Sequence, residues 1–427
     1  MDEGYDPVVV DALIPRRATV AAAESLAGFR AIVIQGARQV GKSTLAEMLA
    51  GRLGAASITL DREEDLRSAT DDPAAFLDAL GVPAVIDEIQ RAGDPLVLAI
   101  KQRLDSSRTP GQYILTGSTN FLTTPTITES LAGRIDLFTL WPLSMGELTG
   151  GADDFVDRAF DVPNSMLGHR GATPSRSDYL ELVCRGGYPE PQGLTERTRL
   201  RWFERYVETV LRREVETAAD LRRMEALFAM ARLLLATTGS ELVISRLARE
   251  LGIDRSTAES YEPWIETTFL VHRLPSWSRK VASRVVRRPK IHACDTGLAA
   301  AMAGKSAAAL GRLNDPSVGP LVETFAINEI AKQLTWSATS ARLHHLRDSE
   351  GLEVDAIIEA ADGRVVAIEI KASTVPRVHD AAPMANLRDR LDRVGGDFTM
   401  GVVLHTGDRR VVLGDRLVGL PIADLWT

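Results

Sequence analysis

The chain has 427 residues, of which 45% are hydrophobic and 25% charged, with 50 lysines and arginines against 58 aspartates and glutamates and a formal net charge of −8 at pH 7. That length exceeds what one hydrophobic core supports and predicts two or three domains, while the composition excludes disordered and fibrous classes. The net negative charge excludes a chain that coats nucleic acid over its whole surface, although it leaves room for a local basic patch.

Met1 to Pro7 is acidic and lacks the basic-then-apolar layout of a signal peptide, and no apolar run is long enough to span a bilayer. A cytoplasmic protein with no membrane partner is expected. Two cysteines, Cys184 and Cys294, are too few for a disulfide framework and read as buried small side chains.

From Phe29 to Leu143, short β-branched runs alternate with helical patterns. The runs are Ala31–Gln35, Ser57–Asp61, Val82–Asp87, Gln112–Thr116 and Ile135–Leu140. Such alternation predicts βα units around a parallel sheet, with ligands beyond the carboxyl ends of the strands.

Gly36-Ala37-Arg38-Gln39-Val40-Gly41-Lys42-Ser43, followed by Thr44, fits the phosphate-binding pattern G-x-x-x-x-G-K-[ST] directly after a predicted strand and at the start of a predicted helix. Gly36 and Gly41 let the backbone curl so that N–H groups face phosphates. Lys42 is placed to reach the β and γ phosphates and Ser43 to ligate a metal, so ATP and Mg²⁺ are the expected ligands. Val82–Ile86 then runs into Asp87-Glu88. A buried strand has no structural need for adjacent carboxylates at its tip, whereas a Mg-dependent ATPase needs one for the metal shell and one to orient the attacking water. Asp87 takes the first role and Glu88 the second. Thr116-Gly117-Ser118-Thr119-Asn120 ends the next run. Ser118 or Asn120 is the candidate γ-phosphate sensor, the alternative being a plain Gly-Ser turn. Arg134, in Leu131-Ala132-Gly133-Arg134, is a candidate arginine finger for a neighbouring subunit of a homo-oligomer, or else pairs with a surface acid.

Asp161–Asp178 is rich in Gly, Pro and Ser and reads as a loop or insertion, after which helical periodicity runs from Tyr179 to about Thr238. Val243–Leu251 and Ser256–Thr268 have the spacing of a helix-turn-helix, with Gly252 in the turn and Ser256 with Glu259 as a capping box. Pro263 is expected to kink or end the second helix. Arg273, Arg279, Lys280, Arg284, Arg287, Arg288 and Lys290 follow with no acid among them. They suit a β-wing against DNA phosphates, the alternative being a solvated basic face on a packing module.

Strand-like runs at Glu353–Ile358, Val365–Ile370 and Met400–His405 predict a separate C-terminal α/β domain. Asp355 and Glu369-x-Lys371 form a D-x13-E-x-K pattern, the layout of a one- or two-metal nuclease. In that reading both carboxylates ligate Mg²⁺, and the lysine, itself no ligand, positions water or stabilises developing charge.

The chain resembles a widespread bacterial and archaeal family of AAA-type ATPases of poorly defined cellular role. The resemblance rests on GARQVGKST at 36–44, VIDEIQR at 85–91, LTGS at 115–118, LAGR at 131–134 and WPLSMGE at 141–147. It continues through GGYPE at 186–190, DTGL at 295–298, EVD at 353–355, IEIK at 368–371 and LPIADLW at 420–426. It implies an α/β fold in which a P-loop ATPase core, 1–145, is followed by a helical connector, 146–225, with an insertion at 161–178. A winged helix-turn-helix at 226–295 and a PD-(D/E)XK restriction-endonuclease-like domain at 296–427 complete it. The resemblance also makes Glu323 a candidate for the further acid of such domains. Where family members commonly show Arg-Asp after the long helix, this chain has Arg213-Glu214. Two functions stay open: an oligomeric ATPase that remodels or translocates DNA and possesses or lacks a nuclease, and an ATP-gated switch whose nuclease-like domain only binds DNA or a protein.

Overall fold

The computed structural model describes residues 13–118, 131, 133–168, 173–215, 221–278, 287–312 and 315–427. Asn120, Arg279, Lys280 and Arg284 lie outside the described residues. The described chain divides into two compact units, one of residues 13–143 with Glu266–Phe269, the other of Ser144–Ile265 with Leu270–Thr427.

In the first unit β1 (Ala31–Gln35), β2 (Ala56–Thr59), β3 (Ala84–Asp87), β4 (Tyr113–Gly117) and β5 (Ile135–Thr139) form a parallel sheet in the order β2-β3-β4-β1-β5. β1 and β4 are buried at every position, as continuous apolar runs covered on both faces must be, while β2 at the edge is partly exposed. Helices α1 (Ala18–Gly28), α2 (Lys42–Leu53), α3 (Glu63–Asp71), α4 (Pro73–Leu80) and α5 (Gly93–Ser106) alternate with the strands. Ile86, Leu115, Phe76, Leu96 and Ile100 share one core between sheet and helices. The order places β4 between β1 and β3. The loop after β1 and the acids ending β3 therefore flank the carboxyl end of β4.

In the second unit, short helices at Met145–Thr149 and Phe155–Asp161 come before three longer ones, at Arg176–Arg185, Glu196–Val215 and Leu221–Ala236. The first of the longer three starts three residues before the predicted helical stretch, because Ser175 and Asp178 form a reciprocal capping box. Helices Ile244–Leu251 and Arg255–Thr267 are joined through Gly252, whose φ of 65° requires no Cβ. Two expectations are corrected here. Ser256 lies inside the second helix rather than capping it, and Glu259 pairs instead with Arg255 at 2.7 Å. Pro263 does not end the helix: its ring forfeits one backbone bond, but Ala258, Glu262 and Ile265 are buried on either side of it and hold the segment helical to Thr267.

Strands β6 (Ser240–Glu241), β7 (Val271–Leu274) and β8 (Lys290–Ala293) make a small antiparallel sheet in the order β6-β8-β7. A six-stranded mixed sheet follows, of β9 (Ala341–Arg347), β10 (Glu353–Ala360), β11 (Arg364–Lys371), β12 (Asp397–His405), β13 (Val411–Gly414) and β14 (Leu417–Pro421). Its order is β13-β14-β12-β11-β10-β9. Val354, Ile357, Ala367, Val403, Met384 and Leu387 form its core. The Val318–Gln333 helix is buried along most of its length and carries Thr324, Asn328, Glu329 and Lys332 inside. Its Asn328 donates to the Ala293 carbonyl at 2.9 Å, and Thr324 meets His292 Nδ1 at 3.0 Å, so β8 is docked on this helix by polar contacts. Among the described residues no helix is long and apolar enough to cross a membrane.

Candidate nucleotide site and C-terminal carboxylate cluster

The loop between β1 and α2 turns through left-handed backbone at Gln39 (φ 61°) and Gly41 (φ 94°). Gly36 is required for space as well: a Cβ there would fall 2.2 Å from the Leu140 carbonyl oxygen. Arg16 donates to the Val40 and Trp141 carbonyls at 2.6 Å each, bracing the crown of the loop. Nothing in the sequence pattern marks Arg16, since its partners are main-chain atoms distant in sequence. Ala37 and Val40 are buried, while Ser43 and Thr44 at the mouth of the loop are exposed.

Lys42 is buried, and its ammonium donates to the carbonyls of Gly36 at 3.0 Å and Ala37 at 2.8 Å. Burial pulls its pKa down; Glu88 and Asp87 oppose that and Arg38 adds to it, leaving a value of about 8. A cation held this way lacks a carboxylate partner at bonding distance and is poised for an anion.

Asp87, at the tip of β3, accepts from Ser43 Oγ at 2.9 and 3.1 Å and from Thr59 Oγ1 at 3.3 Å, and Thr116 Oγ1 also donates to it. The hydroxyl and carboxylate expected to share a metal thus touch. Hard oxygen donors of this kind, at the open end of a phosphate loop, fit Mg²⁺. Glu88 follows with φ 57°, ψ 44°, an unusual conformation for a residue with a side chain and of the sort found at functional sites. Its N–H donates to Thr116 Oγ1 at 3.2 Å, and its carboxylate accepts from Ser118 Oγ at 3.2 Å and from Gln90 Nε2. Ser118 is buried and is joined to Glu88, not solvated in a turn. Thr59, Thr116 and Gln90 were not singled out by sequence; each lies at a strand end or beside Glu88, where only the strand order reveals its place.

Arg134 pairs with Asp105 of α5 at 2.5 and 3.1 Å. This is the surface pair named as its alternative role. Water screens such an exposed pair, so it is readily exchanged for another anion.

In the second unit the predicted acids do come together. Asp355 (β10), Glu369 (β11) and Glu323 (Val318–Gln333 helix) surround one region, joined by Glu353. Lys290 departs from expectation. It is buried, not displayed toward DNA, and its ammonium lies 2.8 Å from Glu323, 3.4 Å from Glu353 and 3.6 Å from Asp355. The reason is β8 itself, which is buried at all four of its positions, Lys290 included, while Arg287 and Arg288, just before the strand, stay half-exposed and exposed. Arg287 donates to the Arg347 carbonyl at 3.0 Å. Asp355 accepts from the Ile370 N–H at 2.9 Å, and Lys371 donates to Glu369 Oε1 at 2.6 Å. Glu369 Oε2 is buried with no hydrogen-bond partner. Burial, then the nearby Asp355 charge, pushes Glu323 and Glu369 each up to about 7. Among the described residues no three His, Cys, Asp or Glu side chains converge in a metal-holding arrangement.

Other segments of the family resemblance meet as structure. Asp295 accepts from the Gly187 N–H at 2.6 Å and the Leu298 N–H at 3.0 Å, joining GGYPE to DTGL, and a Cβ on Gly186 would strike it at 2.2 Å. Glu329 accepts from the Met145 N–H at 2.8 Å, which ties the end of WPLSMGE, from Ser144 on, to the Val318–Gln333 helix. Asp424 of LPIADLW accepts from Arg410 at 2.8 Å.

Residues 28–149 match the AAA domain family, 176–309 match a domain of unknown function, DUF8612, and 318–425 another, DUF4143. Uncharacterized proteins of Mycobacterium bovis and Mycobacterium tuberculosis are each 26% identical over 402 residues, covering 93% of this chain and 81% of theirs. A Walker-type ATPase of Pyrococcus abyssi is similar in structure with a TM-score of 0.39 and 16% identity, covering 70% of this chain and 99% of that one. The RuvB Holliday junction branch migration motor of Thermotoga maritima gives a TM-score of 0.30 and 20% identity, covering 61% and 88%. AMPPCP-bound DnaA of Aquifex aeolicus gives 0.27 and 15%, covering 60% and 89%. Residues 28–149 form a P-loop domain of the AAA type.

Proposed function

We propose that the protein is a Mg²⁺-dependent ATPase that works on DNA as a homo-oligomer. The contact of Ser43 with Asp87 beside Glu88 and Ser118 carries this reading. The N-terminus of α2 and the loop N–H groups bind the triphosphate, and Lys42 exchanges two carbonyls for phosphate oxygens. Ser43 and Asp87 would hold Mg²⁺, which when bound neutralises phosphate charge. Glu88 orients the attacking water and accepts its proton, and Ser118, bonded to Glu88, links that step to the γ-phosphate. Arg134, near the end of the sheet, is offered to a neighbouring subunit's nucleotide.

The DNA reading rests on two helices joined at Gly252 beside the β6-β8-β7 sheet, the layout of a winged helix, and on the exposure of Arg288 just before β8. We test it by measuring ATP turnover against duplex, single-stranded, forked and four-way DNA. Severalfold stimulation by one form, with a steep salt dependence of binding, is expected. Turnover and binding indifferent to every form would instead favour an ATP-gated switch that acts on protein.

A further inference from the structure

A cluster of four carboxylates, Glu323, Glu353, Asp355 and Glu369, is expensive to assemble at a half-buried sheet end unless a cation sits among them. The cation present is part of the chain. Lys290 reaches in from β8, with its ammonium 2.8–3.6 Å from three of the four acids and its side chain only 5% exposed. Glu323 gives it a direct hydrogen bond acceptor. Lys371 serves the fourth acid, Glu369, through one oxygen and leaves the other buried and unpartnered.

We infer that Lys290 is the resident cation of this cluster and occupies the place between Glu323 and Asp355 that a divalent ion would otherwise take, so that the native chain binds no divalent ion there. The distances agree. Mg²⁺ or Ca²⁺ needs oxygens at about 2.0–2.6 Å, whereas these carboxylates stand back at ammonium distance. A divalent ion entering beside Lys290 would also meet a buried positive charge already paired with three carboxylates. Several buried polar contacts hold the strand of Lys290: Ala293 to Thr238 and Asn328, and His292 to Thr324. Removing the lysine charge leaves four acids without their central cation and an oxygen of Glu369 already desolvated. The D-x13-E-x-K pattern cannot disclose this, because the occupying lysine lies 65 residues before Asp355, in a different segment.

The test is Mn²⁺ titration of the nucleotide-free full chain, read by loss of the free-ion magnetic resonance signal. Four proteins are compared: wild type, Asp355→Asn, Lys290→Met and Lys290→Met/Asp355→Asn. Wild type and Asp355→Asn should titrate alike. Lys290→Met should gain one site at least tenfold tighter than any in wild type, lost again in the double variant. A wild-type site that Asp355→Asn weakens overturns the inference, as does a folded Lys290→Met protein with no new site. Should Lys290→Met not fold, the comparison of wild type with Asp355→Asn decides alone, because it needs no lysine variant.

Discussion

Raising the pH from 7 to 9 should discharge Lys42 in the nucleotide-free protein and weaken ATP binding. With a pKa of about 8, the side chain is about 90% charged at pH 7 and about 10% charged at pH 9. Bound phosphates favour the charged form, so nucleotide binding takes up a proton wherever the free protein has lost it. Apparent affinity should fall about tenfold over these two units, or about 1.4 kcal/mol, most of it above pH 8. The sign for stability runs the other way. Folding lowers this lysine's pKa from 10.5, so it costs stability at pH 7, and the cost is relieved as pH rises from about 8 through 10.5. The assay is fluorescence titration with a non-hydrolysable ATP analogue, repeated calorimetrically in two buffers of different ionisation heat to count protons. Lys42→Arg keeps its charge throughout and should show a flat profile in this range. Wild-type affinity unchanged within twofold from pH 7 to 9, or the same slope in Lys42→Arg, would refute the argument.

Gly36→Ala should abolish nucleotide binding and lower the melting temperature, because its Cβ lies 2.2 Å from the Leu140 oxygen at φ 148°; thermal melts and analogue titration check it. Burial, with Glu329 and Glu147 adding their charges against a Ser144 hydrogen bond, pushes Asp153 up to about 7. Its ionisation is therefore disfavoured by folding, and stability should fall as pH rises from about 4 to 7 by on the order of 4 kcal/mol for this group. Asp153→Asn, whose residue also tolerates the φ of 52° found there, should flatten that segment of the stability profile in urea melts across pH. An equally steep profile in Asp153→Asn would assign the slope to other groups.

The first unit was legible in the sequence because each of its parts is local. Ala31–Gln35 was bounded to the residue, and the remaining strands to within one or two, since parallel strands buried on both faces read as short continuous apolar runs. The phosphate loop and Asp87-Glu88 are likewise contiguous. Strand order is not local, so the Thr59 and Thr116 hydroxyls that join Ser43 on Asp87, and the Arg16 brace, leave no mark in the sequence. The same limit misplaced Lys290. As a string, residues 273–290 form a basic run, and only the pairing of β8 with β7 and its docking on the Val318–Gln333 helix turn the last lysine inward. Pro263 does not end its helix, because a propensity rule ignores the burial of its neighbours. Strands β9, β13 and β14 drew no expectation. Ala341–Arg347 carries two arginines and two histidines, and the two last strands are only four and five residues long.

The central claim is that Lys42, with its loop, binds nucleotide, while Glu88 acts in the chemical step. It is tested most directly by measuring ATP affinity and single-turnover hydrolysis on Glu88→Gln and Lys42→Ala. The account predicts that Glu88→Gln binds ATP with wild-type affinity and hydrolyses it at least a hundredfold more slowly, whereas Lys42→Ala binds none. Hydrolysis by Glu88→Gln at the wild-type rate, or loss of binding alike in both proteins, would contradict it.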